Sequence, residues 1–138
     1  MSAERAEADF EITAWEEEPV QDAVNGGVAI TRARVIKRFT GDITGSSVAW
    51  LTMSVVGDTS MAYLGVELFD VTVAGRAGTF VLLHDALSIG AGGHTRWTVQ
   101  GGTGTGALAG ITGAAAIDPR PDGGHGFTLA YTLDDPTG

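Results

Sequence analysis

Apolar and polar residues alternate with a period of two along short stretches of almost the whole chain, and glycine-containing breaks separate the stretches. That is the pattern of half-buried β-strands, and no long stretch keeps a helical period. Between Asp9 and Glu18, Phe10, Ile12 and Ala14 alternate with Asp9, Glu11 and Thr13, which predicts a first strand that Pro19 helps to end. Asn25, Gly26 and Gly27 supply a turn before a long strand from Val28 to Phe39. Gly41, Asp42 and Gly45 mark the next turn, Ser47 to Val56 the next strand, and Gly57-Asp58 a hairpin into Ser60–Leu68. Phe69–Val73, Thr79–Ile89 and His94–Gln100 follow with glycines between them, and Phe127–Leu133 ends the series. Roughly eight strands result, with helix limited to a turn near Ala107–Gly110 or within Glu17–Asp22.

Consecutive hairpins leave exposed edges unless the sheet closes, and at this strand number closure gives a barrel with room for one small ligand. The expected fold is therefore all-β: a single closed antiparallel β-barrel over residues 1–138, with residues 1–8 a flexible leading segment. A β-sandwich is the structural alternative.

Length and composition agree with one domain. A chain of 138 residues buries roughly 68% of its unfolded surface, enough for one core. There is no cysteine, which removes disulfides, thiolate metal sites and a cysteine nucleophile. The charged start of the chain lacks the apolar core of a secretory signal, and no run reaches a membrane-spanning length. The expectation is a cytoplasmic protein with no membrane partner. Seventeen acidic against eight basic residues give a net charge of −9, which repels phosphate backbones and argues against a nucleic-acid partner. Arg32, Arg34 and Arg38 share one side of their strand and read as a solvated face, whereas Lys37 takes the other side.

The glycine-rich run from Gly101 to Gly110 (GGTGTGALAG) contains the letters G-x-G-x-x-A after a strand. A dinucleotide site needs a helix opening directly behind those glycines, and Gly110 and Gly113 interrupt one. No cofactor is expected. Gly102 to Gly113 (GTGTGALAGITG) instead resembles the G-T-G-x-[LF]-x-G-x-x-G segment of allene-oxide-cyclase-like and dirigent-like barrels. The order Thr31-Arg32-Ala33, Lys37-x-Phe39-x-Gly41-Asp42, Tyr63-x-Gly65-x-Glu67, Gly75 to Leu82 (GRAGTFVL), His84 and Trp97-x-Val99 is similar to a bacterial family of uncharacterised barrels within that superfamily. The resemblance covers nearly the whole chain after the first strand. It implies a small closed barrel and, by analogy, an isomerase or cyclase. The sequence departs from that pattern at Leu83, where a polar residue is usual, and at Asp85 to Leu87, which replace smaller residues and would make the pocket wall more apolar.

No metal is expected, because His84, His94 and His125 fall on separate segments and no ligand motif is present. No G-x-S-x-G elbow supports a serine nucleophile. The informative residues are charged groups that share a strand face with apolar ones, since a buried charge must be paired or functional. Lys37 lies on the Val35–Phe39 face, Glu67 with Met61, Tyr63 and Gly65, and His84 with Phe80 and Leu82. If all three faces point inward, Lys37 and Glu67 pair and His84 serves as acid or base. Reversed faces would leave them exposed or in a structural ion pair, and Leu64, Val66 and Leu68 make the opposite side of Glu67's strand apolar as well. An outer face buried in a homo-oligomer gives the same pattern.

Trp50, Trp97, Tyr63, Phe39, Phe80, Leu82, Met53 and Met61 are the candidate lining of an apolar cavity, or else ordinary core residues. Gly65 leaves room for a ligand, or marks a bend. The leading functional expectation is a cofactor-independent isomerase or cyclase that confines a small, largely apolar substrate, with Glu67, His84 and Lys37 as its catalytic groups. A non-catalytic carrier of a small hydrophobic metabolite is the alternative. An acid-type peptidase using Asp42, Glu67 and Asp70 ranks third.

Overall fold

The computed structural model describes residues 3–21, 27–122 and 124–133. Its strands are β1 (Glu4–Gln21), β2 (Val28–Gly41), β3 (Ile43–Val56), β4 (Ser60–Val73), β5 (Arg76–Ile89), β6 (Gly92–Val99), β7 (Thr112–Pro119) and β8 (His125–Thr132). Each pairs antiparallel with its neighbour in sequence, and β1 closes the sheet on β8 to make an eight-stranded barrel. Closure removes the free edges that a meander would otherwise expose. There is no α-helix among the described residues, so none is long and apolar enough to cross a membrane.

Several boundaries differ from the sequence expectation, each for a physical reason. The supposed flexible start is strand: Glu4–Phe10 pairs with β8 while Ala8 onward pairs with β2, so the first strand staples the barrel shut. Pro19 does not end β1 but sits opposite Thr31, on a stretch that has lost its β8 partner. Its missing N–H is tolerated on such a one-sided stretch. The turn expected within Glu17–Asp22 is strand as far as Gln21, and Asp22 lies outside the described residues, as do Asn25 and Gly26 of the first turn. The Ser60–Leu68 and Phe69–Val73 segments are one strand, because the inward face continues from Glu67 through Phe69 and Val71 to Val73 without a break. β7 escapes a propensity reading since its inward positions are Gly113, Ala115 and Ile117; pairing with β6 and β8 imposes it.

The interior is divided along its length. One end is packed solid by Phe39, Phe69, Phe80 and Phe127 with Ile43, Val73, Leu108, Ile111 and Leu129, all essentially inaccessible. The Phe69 and Phe80 rings stack at 4.8 Å. Leu108 and Ile111 come from the glycine-rich segment, which is a plug rather than a nucleotide loop. β6 covers β5 only as far as the Leu82–Val99 pair. Below it, Gln100 N–H donates to the Val81 carbonyl, Thr105 N–H donates to the Thr79 carbonyl, and the Thr103 and Thr105 hydroxyls accept from the Val81 and Thr79 N–H groups. The segment thus satisfies the backbone that β6 leaves unpaired, and one 3₁₀ turn (Gly106–Leu108) drops Leu108 into the barrel.

The outer surface keeps its own pattern. Arg32 and Arg34 pair with Glu18 and Glu16 on the solvent side. Trp50, Val66 and Leu83 form an outward row across β3, β4 and β5, next to a second row of Val48, Leu68 and Val81.

The plug requires close approach at Gly78, where a Cβ would strike the Thr105 carbonyl and touch Leu108. Gly78→Ala should therefore lower stability by about 1–3 kcal/mol, the range for overpacking, as read by urea unfolding with the barrel's far-ultraviolet signature retained.

Candidate functional site

Above the packed end the barrel changes character. Glu67 on β4 is fully buried, and Lys37 on β2, Ser47 on β3 and His84 on β5 are each less than a tenth exposed. Period two puts all four on the inner face. The registers place Ala49 and Leu82 directly opposite Glu67, so Ser47 and His84 are its diagonal neighbours across the two adjacent ladders. Strand tilt in a closed barrel brings such diagonals to one height along the axis, where long side chains meet.

The geometry is that of one acceptor surrounded by donors. Glu67 Oε2 accepts from Ser47 Oγ at 2.5 Å, Oε1 accepts from His84 Nε2 at 2.6 Å, and Lys37 Nζ lies 3.3–3.4 Å from both oxygens. Lys37 also sits over the Phe10 ring, 4.8 Å from its centroid. Burial works to raise the Glu67 pKa, but the hydrogen bond from His84, the Lys37 and His84 charges and the Ser47 hydroxyl outweigh it and hold the carboxyl below its usual range. The group is therefore a carboxylate and can only accept, so the proton between it and His84 resides on Nε2. Nδ1 of His84 is buried and has no partner.

Of these groups Lys37 and His84 reach the floor of a cavity of about 200 Å³, lined with them by Phe10, Ile12, Trp15, Val35, Ala49, Leu51, Met53, Met61, Tyr63, Ile117 and His125, while Glu67 and Ser47 lie behind them. Two larger depressions, of about 510 and 640 Å³, hold the exposed Arg32 and Arg34 pairs and the exposed Arg120 pair. Exposed ion pairs are well solvated and contribute little; the smaller cavity is the one reached by buried ionisable groups. Tyr63 and Trp97 flank His84, each with its ring centroid 6.1 Å away. Burial raises the Tyr63 pKa; the Trp97 indole N–H leaning towards its oxygen offsets this in part, and the Glu67 charge adds to it. That approach falls short of a hydrogen bond, and Trp97 Nε1 is left without a partner.

The family model described as "Protein of unknown function (DUF3224)" matches residues 6–131. The chain belongs to the DUF3224 family. A crystal structure of a DUF3224 protein of unknown function from Shewanella oneidensis MR-1 is similar over 97% of this chain and 100% of that one, with a TM-score of 0.85 at 23% identity, a likeness in fold. No curated protein matches the sequence. The DUF3224 match spans all eight strands at least in part, and with them the whole floor of the cavity.

Within this DUF3224 barrel the sequence-derived candidates divide. Lys37, Glu67 and His84 come together, and Tyr63, Met53 and Met61 line the cavity beside them. Trp97 faces inward against the core and the His84 ring without reaching the cavity surface. Phe39, Phe80 and Leu82 are inward but sealed in the packed end, away from any ligand space. Trp50 points outward and is 46% exposed, because its register mate Val66 lies on the face opposite Glu67. Gly65 makes room for β3 rather than for a ligand, since a Cβ there would collide with the Trp50 carbonyl and Leu51. Leu83 and Asp85 do not alter the pocket wall, as both lie on the outer face; of that stretch only Ala86 turns inward. Asp42 lies between β2 and β3, where it accepts from the Glu7 N–H, and Asp70 is on the exposed outer face, so neither approaches Glu67.

Sequence reasoning missed Ser47, Phe10, Ile12, Trp15, Val35, Ala49, Leu51, Ile117 and His125 as parts of the site. Ser47 carried a usable signal, since it lies in phase with Ala49, Leu51 and Met53 on one strand face.

Glu67→Gln leaves Lys37 as an uncompensated buried charge and should cost about 3–5 kcal/mol, while Lys37→Met combined with Glu67→Gln should recover much of that loss in urea unfolding. Because the folded-state pKa of Glu67 is depressed, its contribution is fully present above the ordinary carboxylate pKa and is lost as pH falls through the folded value. The stability gap between wild type and Glu67→Gln should therefore narrow steadily on acidification.

Proposed function

We propose that the barrel is a cofactor-independent isomerase or cyclase that holds a small, largely apolar molecule in its cavity and moves a proton with the Glu67–His84 pair. The observation that carries this reading is the unpartnered Nδ1 of His84, a base whose other nitrogen is fixed by a buried carboxylate. A carboxylate that holds an imidazole in one tautomer and stabilises the imidazolium after proton uptake is a recurrent arrangement for general-base chemistry. Lys37 balances the carboxylate so that the floor carries no net charge before reaction. Tyr63, raised above its ordinary pKa, stays a hydrogen-bond donor across the neutral range. The sequence resemblance to allene-oxide-cyclase-like barrels supports the same reaction class.

Carriage without chemistry is the second reading, favoured by the three donors on Glu67, which would equally suit a structural ion-pair network. The two part on turnover. With 5-nitrobenzisoxazole, a small planar carbon acid that reports a desolvated base by ring opening, the wild type should show saturable turnover, and His84→Ala should lower it by about 10²–10⁴-fold. Wild-type turnover no greater than that of His84→Ala rejects the enzymatic reading. Native mass spectrometry of protein taken gently from its host should then show whether a small apolar molecule is carried, and denaturation would release it unchanged from a carrier.

A second copy of the chain is the proposed cover for the outer rows of Trp50, Val66 and Leu83 and of Val48, Leu68 and Val81, since a contiguous apolar patch on a sheet favours association. Val66→Lys should convert the oligomer to monomer in light scattering while leaving the interior site untouched.

A further inference from the structure

The cavity also restricts what can occupy it, and this step rests on the reading of that cavity as a ligand site. Its walls differ on opposite sides of the barrel. Phe10 and Trp15 on β1 and His125 on β8 form one wall, and Met53 on β3 with Met61 and Tyr63 on β4 form the wall across from it. In a ring of eight strands β8 stands four steps from β4 in either direction, so the two walls are opposed rather than adjacent. The Phe10 and His125 rings stack with centroids 5.0 Å apart and planes 16° from parallel. The Trp15 indole is held by its N–H, which donates to Glu17 at 2.9 Å. Fixed rings on one side thus stand across from two polarisable thioethers and a phenol on the other.

Size and charge narrow the class. The cavity holds about 200 Å³; an apolar cavity of about 150 Å³ admits benzene, whereas sites for drug-sized ligands run to about 300–1,000 Å³. The space therefore suits one ring with a short substituent, or two fused rings. Lys37 is already matched by Glu67 at 3.3 Å. An anion beside Lys37 would face that same carboxylate, a cation would face Lys37 itself, and either would lose its water to apolar walls. Aromatic rings and thioethers attract a further ring beyond what its buried area contributes, which a saturated group of similar size does not share. The entrance has the same character: Ile12, Trp15 and Met61 line the cavity yet are 40%, 49% and 42% exposed, so they mark where it opens to solvent.

We propose that the cavity binds uncharged aromatic molecules of one or two fused rings, held between Phe10, Trp15 and His125 on one side and Met53, Met61 and Tyr63 on the other. Trp15 sets the preference for a ring, because it belongs both to the ring-bearing wall and to the entrance. It lies on a stretch of β1 that pairs with β2 alone, and replacing it leaves the packed end of the barrel intact.

The test uses naphthalene and decalin, a flat and a saturated bicycle, with protein labelled with carbon-13 at the methionine methyl groups. Naphthalene should bind saturably and move the Met53 and Met61 methyl proton signals upfield, the ring-current effect of an aromatic face set against them. Corrected for partition into hexadecane, its affinity should exceed that of decalin by about tenfold. Trp15→Leu should reduce that preference to about twofold. Decalin binding as well as naphthalene after the correction overturns the aromatic class and leaves the cavity a site for apolar ligands. Equal affinity for 2-naphthoate overturns the restriction to uncharged molecules. No shift of either methyl group with either hydrocarbon overturns this assignment together with the reading of the cavity as a ligand site. An undiminished preference in Trp15→Leu removes Trp15 as its source.

Discussion

One carboxylate inside an apolar barrel constrains the strands around it. Ionised Glu67 loses its water on folding and is tolerable only because Ser47, His84 and Lys37 deliver donors to it from β3, β5 and β2. Those donors arrive only in one register. A slip of a single residue in any of the three ladders would turn the donor outward and leave a charge in the core. The ion cluster is therefore an unforgiving specifier of alignment, and apolar packing alone, which tolerates many arrangements, could not specify the alignment as sharply.

The division of the barrel into a solid half and a hollow half follows from side-chain volume. Towards one end the inner face carries Phe39, Phe69, Phe80 and Phe127, and the glycine-rich segment adds Leu108 and Ile111 where β6 stops short. Towards the other end the buried inner positions include Ala33, Ala49 and Ala86, too small to fill the cross-section, and the cavity opens at this end. The polar cluster lies at the junction, with close-packed rings beneath it and an apolar chamber above it. That position keeps bulk water from Glu67 while leaving His84 in contact with whatever occupies the chamber. Low local polarity strengthens every interaction at that floor, which makes both the ion pair and an unpaired Nδ1 energetically consequential.

Much of this was legible in residue order. Alternation with period two identified the strands and set Lys37 apart from Arg32, Arg34 and Arg38, and it singled out Glu67 and His84 as charged residues on apolar faces. Legibility failed where both faces of a strand are apolar or where small residues pair. Trp50 was read as a wall residue although its row with Val66 and Leu83 is external, because hydrophobicity says nothing about which of two apolar faces is inside. β7 was invisible since Ala114, Ala115 and Ala116 have little strand preference. Ser47 was passed over because a serine at the start of a strand is unremarkable until its diagonal neighbour is a buried carboxylate.

By itself the sequence determined what short-range patterns can encode: an all-β chain, most of its strands and turns, and a few ionisable residues in phase with apolar ones. Tertiary structure decided which face of each strand is interior, because that depends on the direction in which the sheet closes, and closure is settled by β1 meeting β8 across the length of the chain. It also decided that the glycine-rich segment is a plug, because the backbone groups it satisfies belong to β5. The site followed last. Lys37, Ser47, Glu67 and His84 sit on four strands and meet only through diagonal contacts set by strand tilt, a property of the closed barrel that no single strand contains.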